Sequence, residues 1–283
     1  VYPNIFYDHQ KEEFTLQLTR RPQQNFQVGF GGVIATRDIS NIFLGLNFYY
    51  FNRILSHASV GFQTGNFYKS ALLKYRMDFP YQFYVEPYLS FDGWNYLNND
   101  DLLDEVSTPV TPTVLRRINR KFGVHIGVPI RNSFKGVFVV EGFNTLDRYI
   151  NGDVFISTDT LDQLKLQGYK LGLSVSMTNL NRRQYPSSGK NIGLSADYFN
   201  VNEDFTPGNT SIEESHIRMS HSWYRVKVSA EHYLGSGWYR PGYMAEFVMS
   251  NQTFFQNYFG SIINASAFFP LHDSRTLILQ NFR

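Results

Sequence analysis

The chain has 283 residues, with 26 Lys+Arg against 24 Asp+Glu and a net charge of +2, a balance that gives no electrostatic footprint for nucleic acid. It has no Cys, which excludes disulfides and thiolate metal sites. Aromatic residues make up 17% of the chain at a mean hydropathy of -0.31, and no run of about 18 apolar residues is present to form a membrane helix. That combination suits strands that are apolar on one face only.

Residues 1–22 differ from the rest of the chain. A charged turn leads into Phe14, Leu16 and Leu18, alternating with Thr15, Gln17 and Thr19, and Pro22 closes the segment. This predicts the last strand of a small preceding domain, with a second domain over 23–283. From Phe26 onward the alternation predicts about eleven strands, at 26–36, 40–52, 55–64, 67–79, 82–95, 118–130, 134–147, 167–179, 189–202, 216–234 and 238–251.

The eighth of these shows the pattern best. Tyr169, Leu171, Leu173, Val175 and Met177 share one face; Lys170, Gly172, Ser174, Ser176 and Thr178 share the other. Roughly ten alternating residues suffice to cross a bilayer at a tilt, so Leu171, Leu173 and Val175 are expected to face lipid and the polar face an aqueous lumen. Lys74, Arg76 and Asp78, set between Leu73, Tyr75, Met77 and Phe79, extend the wet face to the fourth strand.

The first three connections are short. After that, long links follow odd strands ("NNDDLLDEVSTPVTPTVLRR", "RYINGDVFISTDTLDQLK", "NEDFTPGNTSIEES") and shorter ones follow even strands ("RNS", "LNRRQYPSSGK", "GSG"). Such alternation belongs to an all-β, antiparallel up-and-down transmembrane barrel with one loop side and one turn side. Eleven is odd and bacterial barrels close on even numbers, so further strands are expected beyond Arg283.

The stretches "FQVGFGGVIATRDISNIFLGLNFYY", "YKSALLKYRMDFP", "NLNRRQYPSSG", "FTPGNTS" and "MSNQTFFQNYF" followed by "SRTLILQNFR" span nearly the whole chain in order. Together they resemble the C-terminal Omp85-type barrel of the patatin-like phospholipases of the Bacteroidota, relatives of neuropathy target esterase. The resemblance implies a barrel of about sixteen strands, an incomplete one here, preceded over 1–22 by the end of a POTRA domain. It marks Arg182, Arg183, Tyr185, Pro186 and Gly189 as the family turn. It makes the segment after Asn251 the sixth extracellular loop, where Asn281, Phe282 and Arg283 stand in place of the usual Arg-Gly-Phe or Arg-Gly-Tyr motif.

The function implied is an outer-membrane barrel that anchors or exports an N-terminal lipid acyl hydrolase lying outside this chain. The alternative is an Omp85-type assembly or secretion factor without enzymatic activity, with a plain diffusion porin third. Outer-membrane lipids and lipopolysaccharide, and a homodimer or outer-membrane complex, are the expected partners; nucleic acid is not.

No catalytic, cofactor or metal site is expected within the chain. Ser174 and Ser195 lie in strands without the second Gly of a Gly-x-Ser-x-Gly elbow. His216 and His221 match no metal spacing, and His125 reads as a lumen residue beside Lys121. The acidic run 98–105 reads as a solvated loop lacking the Gly and spacing of a calcium loop. The basic run 116–121 reads as loop charge near the outer rim, in reach of lipopolysaccharide phosphates. Gly29, Gly31, Gly45, Gly123, Gly127, Gly172 and Gly193 fall on the inward face, as small residues at curved strands do, rather than in a phosphate loop.

Overall fold

The computed structural model describes residues 2–8, 12–19, 25–33, 41–65, 68–95, 113–131, 133–151, 158–182, 186–235, 241–256, 263–264 and 275–276. All regular structure among them is β. Strands β1 (Tyr2–Asp8) and β2 (Glu13–Thr19) form a hairpin of their own, in which Ile5 lies opposite Leu16 and Tyr7 opposite Phe14 with ring centroids 5.0 Å apart. The alternation predicts β2 but not β1, whose stretch reads as a charged turn.

Eleven strands then form one antiparallel sheet in chain order, each paired with the next: β3 (Phe26–Val33), β4 (Asn41–Phe51), β5 (Leu55–Gly65), β6 (Tyr68–Phe79), β7 (Phe83–Asn95), β8 (Thr113–Arg131), β9 (Phe134–Ile150), β10 (Asp162–Thr178), β11 (Ser188–Thr206), β12 (Ile217–Leu234) and β13 (Gly242–Ser250). Among the described residues no pairing joins β3 to β13. Two short bridges, β14 (Ile263–Asn264) and β15 (Arg275–Thr276), pair with each other.

Several strands run further than the alternation predicts. β8 begins at Thr113 rather than at 118, β10 begins at Asp162 rather than at 167, and β11 ends at Thr206 rather than at 202. The basic run 116–121, read as loop charge at the rim although the predicted strand began at 118, therefore lies wholly within a strand.

The reason is a reversal of polarity along unbroken strands. The pairing of β10 with β11 runs without a bulge from Gln163 opposite Thr206 to Thr178 opposite Asn191, so side chains alternate faces throughout. Between Tyr169 and Met177 one face carries Tyr169, Leu171, Leu173, Val175 and Met177. This outer face continues on β11 as Ile192, Leu194, Ala196 and Tyr198, and on β12 as Tyr224, Val226, Val228 and Ala230.

Past the tyrosines the outer face turns polar, with Gln167, Lys165 and Gln163 on β10, Asn200, Asn202 and Asp204 on β11, and Ser222, Ser220 and Arg218 on β12. The inner face does the opposite. It is polar or tiny at Lys170, Gly172, Ser174, Asp197, Ser195, Arg225 and Lys227, and then turns apolar at Leu166, Leu164, Phe199, Val201, Phe205 and Trp223. A search for one apolar phase stops at the reversal, although the strand does not.

Candidate functional site

The inner wall carries a belt of paired charges. On β6 Arg76 donates to Asp78 at 2.6 Å and lies 3.8 Å over the Tyr84 ring of β7, which Lys135 of β9 approaches at 4.9 Å. The next pairs are Glu86–His125 at 3.3 Å, Tyr88 donating to Glu141, and Lys170–Glu141 at 3.3 Å. Asp197–Arg225 at 2.7 Å and Lys227–Glu246 at 2.9 Å continue the belt to β13. Most of these groups keep partial contact with solvent and acids and bases alternate along the belt, so the wall is polar and close to neutral.

Two glycines make room for the belt's aromatics. The Tyr84 ring occupies the space a Gly127 side chain would need, and Tyr88 lies over Gly123. Gly172 and Gly193 are crowded in the same way by the Asp197 and Ser229 side chains, whereas a Cβ on Gly31 would meet open space.

At the loop end the inner face closes into an apolar core of Tyr149, Leu164, Leu166, Phe199, Val201, Phe205 and Trp223, capped by Phe255. Phe199 and Trp223 stack at 4.9 Å, and Phe255 meets Trp223 edge-on at 5.7 Å. The chain after β13 therefore turns back over the inner wall. Glu203, 1% exposed, holds it there by accepting from the Gln256 amide at 2.9 Å and from His221 Nε2 at 2.7 Å; Thr253 Oγ1 lies 3.0 Å from the other ring nitrogen.

Two more carboxylates are buried beside this core. Asp147, 1% exposed, accepts from Arg117 Nε at 2.7 Å and Nη2 at 2.6 Å. Asp162, fully buried, has no cationic partner among the described residues and accepts instead from Asn151 Nδ2 at 2.5 Å and the Gly208 amide at 2.6 Å, tying together the two neighbouring connections. Burial raises its pKa above the usual carboxylate range, against the pull of the Gly208 amide. Burial likewise raises the Tyr149 hydroxyl, with Asp162, Glu203 and Asp147 adding to the shift.

The sign follows from proton binding. The folded chain holds the Asp162 proton more tightly than the unfolded chain, so this stabilisation is complete below the ordinary aspartate pKa of about 3.9 and is lost as pH rises through the raised value. Asp162→Asn removes the titrating group but offers one acceptor oxygen where two now accept, so the expected result is in the pH dependence: its melting temperature relative to the wild type should be higher at pH 7 than at acid pH, as read by thermal unfolding in detergent micelles. A difference that does not change with pH would show that Asp162 does not titrate in this way.

The sequence candidates fall in different places. Leu171 and Leu173 are exposed on the outer face and Val175 is half-exposed there. In the turn between β10 and β11, Asn181 Oδ1 accepts from the Ser187 and Ser188 amides at 3.1 and 3.2 Å, and Gly189 has a φ of 102°. A Cβ on Gly189 would also collide with the Asn179 carbonyl and Leu180 Cα. Gly189→Ala is thus expected to cost about 1–3 kcal/mol in urea unfolding, since a strained left-handed residue and a backbone clash combine. Arg182 is exposed and Pro186 half-buried at this turn; Arg183 and Tyr185 lie outside the described residues, as do Asn281, Phe282 and Arg283 and the acidic run 98–105.

His216 and His221 are separated by the sheet. His216 bonds Asp204 on the outer face at 2.7 Å, and His221 bonds Glu203 on the inner face. The His216 hydrogen bond, with Arg218 adding to it, holds the Asp204 carboxyl below its usual range. Among the described residues no group of three His, Asp or Glu side chains is placed to hold a metal ion. Ser174 and Ser195 face each other across β10 and β11, and neither bonds a His or carboxylate among the described residues.

The loop-end residues Leu164, Leu166, Val201, Phe205 and Phe255 are not among the sequence candidates. Their signal is present as an apolar alternation in the opposite phase. The junction is marked by adjacent aromatics, Tyr198–Phe199 and Trp223–Tyr224, where one phase ends and the other begins.

The architecture has a counterpart among solved structures. The crystal structure of BamA from Haemophilus ducreyi lacking POTRA domains 1–3 superposes with a TM-score of 0.52 at 10% identity, over 94% of this chain and 49% of that one. The chain thus spans about half the length of the structure it matches. No family model and no curated protein matches the sequence. Fold and wall together define the class: an antiparallel up-and-down sheet with the BamA barrel fold, a charged inner wall and an apolar outer band.

Proposed function

We propose that the chain is part of an outer-membrane β-barrel of the Omp85 type. The observation that carries this is the reversal of polarity. An outer apolar band nine residues tall, from Tyr169 to Met177, ends at a row in which Tyr169, Tyr198 and Tyr224 lie 6.4 and 5.1 Å from one another along the sheet. At about 3.3 Å per residue and a tilt of about 40°, the band is ~20 Å deep, close to the apolar belt of an outer-membrane barrel. A solvent that is apolar within the band and aqueous beyond it favours this arrangement.

Within that reading, the barrel anchors or exports an N-terminal patatin-like lipid acyl hydrolase, and residues 1–22 end a POTRA domain. The patatin link is supported by the sequence resemblance, and the separate β1–β2 hairpin agrees with a domain boundary near Pro22. Outer-membrane lipids and a second copy or complex partners would adjoin the outer face. The second reading, an assembly or secretion factor without enzymatic activity, is favoured by the likeness to the BamA fold.

Treating the full-length protein with a fluorophosphonate probe separates the two. Labelling of a serine in a Gly-x-Ser-x-Gly peptide, together with release of fatty acid from phospholipid vesicles, is expected of the hydrolase. Absence of both assigns the barrel to the assembly class.

A further inference from the structure

Charge is segregated across the sheet beyond the tyrosine row. Asp92, Asp147, Asp162 and Glu203 lie on the inner face, whereas Arg116, Arg120, Arg148, Lys165 and Arg218 lie on the outer face, where Asp204 is the one acid of β8 to β12 at this level. The faces are fixed by neighbours. Arg117 reaches inward to Asp147, which turns Arg116 and Arg148 outward, and Asn119 reaches inward to Asp92 at 2.7 Å, which turns Arg120 outward.

Asp204 is bonded to His216 at 2.7 Å and Arg218 at 3.1 Å, so it balances Arg218 and leaves the other four bases of the ledge unmatched by it. Arg116, Arg120, Arg148 and Lys165 form no ion pair with a described residue. Arg116 stands directly opposite Arg148, a like-charge pair that disfavours the sheet unless an anion lies between the two, and Arg148 Nε is buried without a hydrogen-bond partner. Beside them a groove of about 340 Å³ is lined by Lys165, Gln167, Asn202, Asp204, Arg218 and Ser220, among others.

We propose that this outer ledge binds the phosphate groups of a glycolipid in the outer leaflet. The inference rests on the outer-membrane reading and adds a ligand class and a site to it. Position selects the ligand: the basic groups begin two residues above the apolar band, where Arg120 follows Phe122, and extend to six, where Arg218 follows Tyr224. An anion held there with its acyl chains on the band below satisfies both surfaces, and Gln167, Asn202 and Ser220 offer hydrogen bonds to headgroup sugars. Guanidinium groups suit phosphate because their paired N–H donors match two of its oxygens.

The test uses the full-length protein reconstituted in phosphatidylethanolamine vesicles containing bisphosphorylated lipid A, with dephosphorylated lipid A and inorganic phosphate as comparators. The expected result is retention of bisphosphorylated lipid A through detergent washing and a raised unfolding temperature, neither reproduced by the comparators. The triple variant Arg120→Gln, Arg148→Gln, Lys165→Gln should retain the lipid roughly tenfold less well. Equal stabilisation by dephosphorylated lipid A, reproduction by inorganic phosphate, tighter capture of a nucleic acid or an acidic peptide, or unchanged retention by the variant would overturn the proposal. Insertion is scored in the same vesicles by protease protection. Failure to insert removes the membrane reading and the ledge with it, whereas insertion without discrimination between the lipids removes the ledge alone.

Discussion

Leu173→Arg is expected to destabilise the inserted protein by about 2–4 kcal/mol, and Ser174→Arg by much less, because an arginine at mid-bilayer depth loses its hydration whereas one on a wet wall keeps it. The two residues are neighbours in β10 and differ only in the face they occupy. Leu173 is 57% exposed and lies four residues from both ends of the apolar band, which on the outer-membrane reading proposed above puts its side chain near mid-bilayer depth. Ser174 lies opposite Ser195 on the inner face, where Lys170, Asp197 and Arg225 already show that charge is accommodated. Urea unfolding of each variant in phospholipid vesicles measures both values. Equal losses would mean that the apolar face meets something other than lipid.

Arg117→Met is the other large effect, at about 3–5 kcal/mol, because it strands a buried carboxylate. Asp147 has lost nearly all contact with water and is held by two charge-assisted bonds from one guanidinium. The substitution keeps the length of the side chain but leaves the charge without its partner. The double variant Arg117→Met, Asp147→Leu should recover most of that loss, since replacing both members of a buried pair by apolar residues of similar volume is close to neutral. A double-mutant cycle by urea unfolding reads the difference. Strict additivity would show that the pair is not coupled and that the loop end draws its stability from the apolar core around Tyr149 and Phe205 alone.

The two substitutions probe the two halves of each long strand. In the lower half the chain is built for an apolar exterior and a wet interior, and in the upper half for a wet exterior and a dry interior. Segment 251–256 belongs to the upper half, because Phe255 completes the apolar core that Leu164, Val201 and Phe205 begin. The loop side is therefore a packed cap continuous with the strands, and the basic ledge is its outer surface.

The strands between Phe26 and Asn251 are legible in the sequence because alternation is a property of the strand itself: successive side chains point to opposite sides, so a face in contact with one solvent writes a period of two. The eleven-stranded count and the placement of Leu171 and Leu173 on the face opposite Lys170 follow from that local rule, and the chain-order pairing from the short and long connections between the strands. β1 is not legible in this way because Tyr2, Asn4, Phe6 and Asp8 mix polar and apolar residues on one face, and the other offers only Pro3, Ile5 and Tyr7, too short a run to set a period.

What only the tertiary structure decided lies where the surroundings change along a strand. Leu164 and Leu166 on β10 are out of phase with Tyr169 and Leu171 because the first two pack into the inner core with Val201 and Phe205 whereas the second two are exposed on the outer face, and a rule that seeks one phase ends the strand at the exchange. The joining of Arg148 with Arg116, of Glu203 with His221 and the Gln256 amide, and of Asp162 with the Gly208 amide could not be read either. Pairing register and chain return set those contacts, and they bring together residues whose separation in sequence carries no periodic signal.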